Sequence, residues 1–385
     1  MRILMFSWET PPAVSGGRAA HVDGLAHALA DAGHEVVVIT RLTPGTSKYT
    51  ESGSFRTLRV EIDLPWLPDR AIARVASANH AFVMAAADLG DWRADIVHAH
   101  DWEVSWASQV AARQHGCPLV TTFHGTERSR HGGHVPPGVP SDVNGIEWWQ
   151  AVASRRVITI SKILGRQVTT DFELDPAAVR SVPGGIDQTW WAAPATHADE
   201  QPDANLIFAW GSIKYEKGFH VLAGALAELR SHHPDVHCVI AGRGSYLADL
   251  QSQIDVIGVS DLIDLPGYIS DNELRTMIHR SACVVIPSLY EPFGVVALEA
   301  LAGGSPLVIA ETGGLAEIVE GTEAALTFEP GNTGQLADRI DTVLRNHHLA
   351  ESLSAHGRQL VEQSYSWSAI AQRMMACYLD ALGLS

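Results

Sequence analysis

The sequence predicts an α/β protein of two domains, each built on a parallel sheet with helices on both faces. Short apolar runs alternate with amphipathic helical patterns along most of the chain. The alternation stops between residues 188 and 204, where the chain is polar and contains proline, and it then restarts. A length of 385 residues suits two domains, each large enough to bury its own core.

The first half of the chain predicts a doubly wound unit. It opens with a strand at residues 3–8 and a helix at residues 18–33, whose apolar residues recur at helical spacing. Gly33 suits the end of that helix. The further strands predicted in this half are residues 35–40, 95–99, 119–123, 157–160 and 179–182.

The second half repeats the alternation, with a new set of strands separated by helices. These predicted strands are residues 206–210, 237–241, 262–265, 284–287 and 307–310. The domain assignment is residues 1–187 for the first domain, 188–204 for a linker, 205–365 for the second domain and 366–385 for a C-terminal helix. Ligands of such sheets bind beyond the carboxyl ends of the strands, so we expect functional loops there.

Composition excludes several classes of function. The chain carries 27 Lys and Arg against 44 Asp and Glu, a formal charge of −17, which argues against sequence-independent binding of nucleic acid. No run approaches the 18 apolar residues of a membrane span, although a local basic patch would still allow peripheral membrane contact. The four cysteines are widely separated, and we expect free thiols in a cytoplasmic protein. Oligomeric state is left open.

The most informative segment is Glu291-Pro-Phe-Gly-Val-Val-Ala-Leu-Glu299, directly after an apolar run. It predicts one carboxylate on a loop and the other about two turns into a helix. The amides of Phe293, Gly294 and Val295 would then be free donors at a helix N-terminus, which favours an anion. A carboxylate beside such amides suits a ligand with hydroxyls at one end and phosphate in the middle, as in a nucleotide-sugar.

This segment and six others resemble the retaining glycosyltransferases of GT-B fold, the broad group that includes glycogen synthases and sucrose-phosphate synthases. The resemblance covers essentially the whole chain and implies two Rossmann-like domains facing a cleft. It also implies that the last helix crosses back to the first domain. The other matching segments are Ser7-Trp-Glu-Thr-Pro-Pro12, Gly16-Gly17, His98-Ala-His-Asp-Trp102, Thr122-Phe-His-Gly125, Lys214-Tyr-Glu-Lys-Gly218 and Gly313-Gly314.

The resemblance implies a role for the glycine loop after the first strand and for two residues at strand ends. Gly16 and Gly17 would contact the diphosphate or sugar of the donor, although a Gly-Gly loop alone is more often a plain turn. His124 would meet the donor sugar, and Lys217 would bind the pyrophosphate. We therefore take His124 and Lys217 as catalytic candidates.

The two carboxylates of the central segment complete the predicted site. We choose Glu291 as the third catalytic candidate, contacting the hydroxyls of the transferred sugar, and Glu299 as the partner of the nucleotide ribose. The nucleotide-binding set also includes the amides after Glu291 and Ser212. Relatives usually carry arginine at the Ser212 position, so this serine removes an expected cation. Lys214 or Arg243 could supply the missing charge.

No metal or cofactor is expected. His98 and His100 would place both rings on one face of a strand, an arrangement that can ligate a metal. The resemblance, however, implies no need for a divalent ion bound to the protein, and no Asp-x-Asp pair marks one. The nucleoside diphosphate-sugar would be a co-substrate.

The resemblance thus implies a retaining hexosyltransferase. The start of the chain and the segment around His98 look most like the glycogen-synthase-like branch, which favours glucose from ADP- or UDP-glucose and a glucan or oligosaccharide acceptor. Within the class, the alternative is a mannosyl- or glucosyltransferase acting on a lipid or small metabolite. From other classes, a GT-B nucleotide-sugar epimerase and a weakly active sugar-nucleotide binding protein stay open, the latter because of Ser212.

Overall fold

The computed structural model describes residues 1–12, 17–62, 70–192 and 202–384, and it contains two compact units. The first unit comprises Met1–Gly185 and Trp367–Ser385, and the second comprises Ile186–Ser366. The division falls two residues before the predicted end of the first domain. Because the chain returns after Ser366, the last helix belongs to the first unit.

The described residues of the first unit form an eight-stranded sheet in the order β3-β4-β2-β1-β5-β6-β7-β8. All its strand pairs are parallel except the hairpin of β3 and β4. Its strands are β1 (Arg2–Ser7), β2 (Glu35–Arg41), β3 (Tyr49–Ser52), β4 (Phe55–Val60), β5 (Ile96–His100), β6 (Leu119–Phe123), β7 (Arg156–Thr159) and β8 (Val179–Ser181).

Helices connect these strands, and two short 3₁₀ turns at Trp102–Val104 and Pro176–Ala178 join them. The helices are α1 (Gly17–Asp31), α2 (Ala71–Ala87), α3 (Ser105–His115), α4 (Glu127–Arg130), α5 (Val139–Ala153) and α6 (Lys162–Asp171). Side chains of β1 alternate between two hydrophobic clusters, Ile3 and Met5 in one and Leu4 and Phe6 in the other. A sheet buried on both faces explains why these strands read as continuous apolar runs.

The second unit contains a six-stranded parallel sheet in the order β11-β10-β9-β12-β13-β14. Its strands are β9 (Asp203–Trp210), β10 (His237–Ala241), β11 (Ile263–Gly267), β12 (Ser281–Ile286), β13 (Leu307–Ala310) and β14 (Leu326–Phe328). Its helices are α7 (Gln188–Trp191), α8 (Phe219–Leu229), α9 (Leu247–Ile257), α10 (Asp271–Arg280), α11 (Val295–Gly303), α12 (Gly313–Val319), α13 (Thr333–Arg345) and α14 (His347–Leu360). A 3₁₀ turn at Tyr215–Lys217 and a π-helical turn at Val361–Tyr365 complete the unit.

The last helix, α15 (Trp367–Leu382), packs against α1 in the core of the first unit. Trp367 fits there because two neighbours are glycines. A Cβ on Gly24 would lie 2.1 Å from Cε2 of the indole ring, and one on Gly185 would lie 2.5 Å from Cε3. Farther along, the buried hydroxyl of Tyr378 lies 2.7 Å from Nδ1 of His98, a histidine of β5.

Replacing Tyr378 with phenylalanine is expected to destabilise the first unit by about 1–3 kcal/mol, because Nδ1 of the buried His98 loses its partner. The midpoint of urea unfolding measures this change. Tyr49→Phe is the control, since Tyr49 is exposed and its hydroxyl bonds to Glu51 at the surface. If the two variants unfold at the same urea concentration, the contact between Tyr378 and His98 does not stabilise the protein.

All the strands predicted above form, with ends that shift by at most three residues, but three more are present. The sequence pattern did not predict the hairpin of β3 and β4, because β3 is wholly exposed and only Phe55 and Thr57 of β4 are buried. β14 was missed because it has only three residues, too few to form a recognisable apolar run. Within the predicted linker, residues 188–191 form α7 and β9 begins at residue 203, while residues 193–201 lie outside the described residues.

The described helices include none that combines the length and the apolar character needed to cross a membrane.

Candidate active site

The predicted site residues of the second unit lie at the carboxyl edge of its sheet. Neighbouring strands β9, β12 and β13 each end at this edge, as expected for a parallel sheet. The turn after β9 carries Lys217, the loop after β12 carries Glu291, and α12 opens with Gly313 after β13. Residues far apart in sequence are therefore placed next to one another.

Lys217 and Glu291 form an ion pair. Nζ of Lys217 lies 2.5 Å from Oε2 of Glu291, and the two side chains are only 23% and 11% exposed. Sequence reasoning assigned these residues separate roles and did not foresee that they touch. The pair fixes a positive charge and a hydroxyl acceptor side by side. Partial burial makes the electrostatic interactions of both groups stronger than they would be at a fully exposed surface.

Close backbone packing holds this pair in place. Gly218 has a φ of +67°, and a Cβ there would lie 1.9 Å from the carbonyl oxygen of Pro287. The amide of Gly314 donates to the carbonyl of Glu291 at 2.8 Å, and a Cβ on Gly314 would lie 2.3 Å from Cα of Phe293. Glycines thus let the three loops meet at backbone distance, and the position of Glu291 is set by the main chain.

Helix α11 begins at Val295, one residue after Gly294, which has a φ of +101°. Within the described chain, no side chain caps this helix start. A helix start without a side-chain cap can accept an anion, and the role of its amides stays a prediction. The prediction placed Glu299 about two turns into the helix, which is wrong, because it is the fifth residue and lies little more than one turn in.

Glu299 contacts Trp210, the last residue of β9. Nε1 of Trp210 donates to its Oε2 at 3.1 Å. Burial raises the pKa of Glu299 to about 7, although the hydrogen bond from Trp210 opposes the shift. Hydrogen-bond donors from a ligand would stabilise the ionised form of this buried carboxylate.

Ser212 is exposed directly after β9, on a loop that packs against the loop after β10. The amide of Ile213 donates to the carbonyl of Arg243 at 2.8 Å, and a Cβ on Gly242 would lie 1.8 Å from the oxygen of Gly211. The glycines of the Gly242-Arg-Gly244 segment therefore serve loop packing.

The two cations considered as substitutes for the missing arginine have other partners. Lys214 lies 3.8 Å from a carboxylate oxygen of Glu216, and the guanidinium of Arg243 lies 5.6 Å from the ring centre of Tyr268. Both side chains are exposed, and neither contact is strong enough to hold the charge in one position.

In the first unit, the predicted His124 is held by a residue that sequence reasoning did not choose. Oδ1 of Asp101 accepts the backbone amide of His124 at 2.8 Å, and its Oδ2 lies 3.0 Å from Nδ1 of the imidazole. Asp101 is buried and has a φ of +61°, which only a few per cent of non-glycine residues adopt. The sequence feature that could have identified Asp101 is its position directly after His100, the last residue of β5.

Arg18, the second residue of α1, completes this network. Its guanidinium lies 3.2 Å from Asp101 and 2.9 Å from both Glu9 and Glu103, so it ties the loop after β1 to the loop after β5. Burial alone would raise the pKa of Asp101, but His124 and Arg18 hold it below its usual range. Burial alone would lower the pKa of Arg18, but the three neighbouring carboxylates outweigh this effect and raise the pKa above its usual value.

Gly17, one of the two predicted loop glycines, is the exposed first residue of α1 and precedes Arg18 directly. Gly16 lies outside the described residues. His98 and His100 do lie on one side of β5, with ring centres 4.2 Å apart. His98 is satisfied by Tyr378 and by Thr122 at 2.8 Å, so it is a structural histidine.

Comparison with known proteins decides the family. Residues 196–360 match the model of glycosyl transferases group 1, and residues 15–190 match the model of glycosyltransferase family 4. The chain is 34% identical over 398 residues to a glycogen synthase of Mycobacterium tuberculosis, covering 99% of this chain and 95% of that protein. The chain belongs to the group 1 and family 4 glycosyltransferases.

The fold of this glycosyltransferase is GT-B, as predicted. A sucrose-phosphate synthase from Thermosynechococcus elongatus superposes with a TM-score of 0.79 at 24% identity, covering 100% of both chains. The catalytic domain of starch synthase IV from Arabidopsis thaliana, bound to ADP and acarbose, gives a TM-score of 0.76 at 16% identity and covers 99% of both chains. At such identities these structures establish the fold alone.

Proposed function

We propose that this glycosyltransferase moves glucose, with retention of anomeric configuration, from ADP- or UDP-glucose to a hydroxyl of a glucan or oligosaccharide. The observation that carries the proposal is the pair of Lys217 and Glu291 beside the uncapped start of α11. A cation, free amides and a hydroxyl acceptor within one loop cluster match a sugar linked to a diphosphate. The relative named glycogen synthase favours glucose and a glucan.

Each residue has one proposed role. Lys217 and the first amides of α11 stabilise the negative charge that develops on the departing diphosphate. Glu291 accepts hydrogen bonds from hydroxyls of the transferred sugar, and Glu299 accepts from the ribose. His124, oriented by Asp101, contacts the donor sugar.

The chemistry needs no nucleophile from the protein. The bond between the anomeric carbon and the phosphate oxygen breaks, and the acceptor oxygen bonds to that carbon from the same face of the sugar. The departing phosphate oxygen takes the proton of the acceptor hydroxyl, so the products are the lengthened acceptor and the nucleoside diphosphate. The protein contributes orientation and charge stabilisation, the two largest sources of catalysis in reactions of this kind.

Incubation with radiolabelled ADP-glucose, UDP-glucose and GDP-mannose, with and without maltooligosaccharides, tests the proposal. We expect nucleoside diphosphate release together with a lengthened oligosaccharide that carries an α-linkage. A free epimer of the sugar nucleotide would instead indicate an isomerase. Binding of the donor without turnover would indicate a sugar-nucleotide binding protein, and either result contradicts the proposal.

The affinity for ADP or UDP is expected to rise as the pH increases from about 6 to about 8. The pKa of Glu299 is raised to about 7, so the carboxyl is mostly protonated at the lower pH. Hydroxyl donors of the ribose favour the ionised form, so binding releases this proton and strengthens as the pH passes the pKa.

Calorimetric titration across this pH range measures the effect. Glu299→Gln is the matched variant, because it keeps the shape of the side chain and cannot ionise. The titration of the diphosphate itself is common to both proteins. Equal pH slopes for the two proteins would show that Glu299 does not contact the nucleotide.

Replacing Ser212 with arginine is expected to tighten nucleotide diphosphate binding by roughly tenfold, because it adds a cation that can form two parallel hydrogen bonds to phosphate. Isothermal titration with ADP and UDP measures the gain, and Ser212→Gln controls for side-chain length without charge. An unchanged affinity in Ser212→Arg would mean that the position lies away from the diphosphate.

A further inference from the structure

A buried glutamate on α5 contacts the segment that follows β6. Glu147 is 0% exposed and belongs to the buried face of α5, together with Val143 and Gln150. Both of its carboxylate oxygens lie 3.0 Å from the backbone nitrogen of Glu127, the first residue of α4. Because glutamate is rarely buried completely without a partner, this contact explains why one is tolerated inside the unit.

Among the described residues, the amide of Glu127 is the only hydrogen-bond donor to Glu147. The guanidinium of Arg130 lies 3.9 Å from Glu147 and bonds instead to the side chain of Glu127 at 2.8 Å. Burial raises the pKa of Glu147 to about 8, although the amide of Glu127 opposes the shift. At pH 7 the neutral acid therefore predominates, and its carbonyl oxygen accepts the amide.

This hydrogen bond fixes the second end of the segment 124–127. At the first end, the amide of His124 donates to Oδ1 of Asp101 at 2.8 Å, and Nδ1 of the ring lies 3.0 Å from Oδ2. At the second end, the amide of Glu127 donates to Glu147. The imidazole of His124 is therefore carried by a short stretch of main chain that two buried carboxyl groups hold from opposite ends.

Helix α5 is itself fixed to the strand that leads to His124. Gln150 lies one turn after Glu147 on the same buried face of the helix. Its Nε2 donates to Oγ1 of Thr121 in β6 at 2.9 Å. Glu147 and Gln150 therefore hold the segment 124–127 in a fixed position relative to the end of β6.

We propose that Glu147 is a positioning residue for glycosyl transfer: by accepting the amide of Glu127, it holds His124 in the orientation that contacts the donor sugar. This role rests on the proposed function, in which His124 makes that contact. Because Glu147 is 0% exposed, it acts through the main chain and does not touch the substrate. The effect on rate is large because a displacement of about 1 Å in an active site can cost roughly 10²-fold.

Kinetics of glycosyl transfer at pH 7 test the proposal. Glu147→Met fills the same space but cannot accept the amide, so kcat should fall at least about tenfold. Glu147→Gln keeps the acceptor, and its kcat should stay within about threefold of the wild-type value. The affinity for ADP or UDP should not change in either variant, because Lys217 and α11 lie in the other unit. Asp142→Met, at an exposed carboxylate of the same helix, is the control and should keep wild-type kcat.

Removing His124 separates a positioning role from a purely structural one. His124→Ala should lower kcat, and adding Glu147→Met to it should cost little more, because Glu147 acts through that histidine. Equal fold losses from Glu147→Met with and without His124 would overturn the positioning role and leave the proposed function intact. If His124→Ala is as active as the wild-type protein, the sugar contact assigned to His124 is wrong, and the positioning role fails with it.

Glu147→Asp is the second variant, for the case in which Glu147→Met does not fold. It shortens the side chain by one methylene and so withdraws the acceptor from the amide of Glu127. Its kcat should fall clearly below that of Glu147→Gln, with an unchanged affinity for ADP or UDP. Equal kcat in Glu147→Asp and Glu147→Gln, or a Glu147→Gln variant that folds but is inactive, would contradict the proposal.

Discussion

Replacing Glu291 with glutamine is expected to lower kcat for glycosyl transfer by at least about 10²-fold, a loss of the size seen when one charge-stabilising group is removed from an active site. The variant keeps the volume of the side chain but loses the negative charge that accepts hydroxyl donors. It also releases Lys217 from its ion pair, so the cation is no longer fixed at 2.5 Å from this position. Steady-state kinetics with the donor found by the incubation experiment measure the loss.

The matched control is Glu228→Gln, which neutralises an exposed glutamate of α8 in the same unit. Its kcat should equal that of the wild-type protein. Both variants should melt within a few degrees of the wild-type protein, because the pair is partly exposed and the backbone of Glu291 is held by Gly314. Full activity in Glu291→Gln would show that the site has been assigned to the wrong carboxylate.

Replacing Gly218 with alanine is expected to destabilise the second unit by more than about 3 kcal/mol, a size reserved for backbone strain and severe overpacking. A Cβ there would lie 1.9 Å from the carbonyl oxygen of Pro287, and main chain cannot rotate away as a side chain can. The left-handed backbone, with a φ of +67°, adds its own strain. Calorimetric melting, resolved into the transitions of the two units, measures the effect.

Gly258→Ala separates these two causes. Gly258 also has a left-handed backbone, with a φ of +82°, but no atom lies within 4 Å of its added Cβ. Alanine there should cost only the conformational term, roughly 1–2 kcal/mol. If both variants melt at the same temperature, the close approach of Gly218 to Pro287 does not exist in solution.

The sequence predicted the two sheets because buried parallel strands leave a strong signal. Runs such as residues 119–123 and 307–310 form strands at the predicted residues. The hairpin of β3 and β4 left no such signal, since an exposed edge strand needs no apolar face. Short, half-exposed elements are stabilised by contacts with residues distant in sequence, so their own residues do not predict them.

The residues of the candidate site were chosen from the sequence, which did not reveal their contacts. The loop and helix positions of Glu291 and Glu299 follow from local spacing and from resemblance. The ion pair of Glu291 with Lys217 joins residues 74 positions apart, and it arises because β9 and β12 are neighbours in the sheet. The same holds for Asp101, whose contacts with His124 and Arg18 join elements that converge only in the folded unit.

Soaking crystals of the protein with ADP or UDP tests the central claim most directly. We expect the diphosphate to contact Nζ of Lys217 and the first amides of α11, and a ribose hydroxyl to donate to Glu299. A nucleotide bound away from both Lys217 and Glu299 would contradict the account.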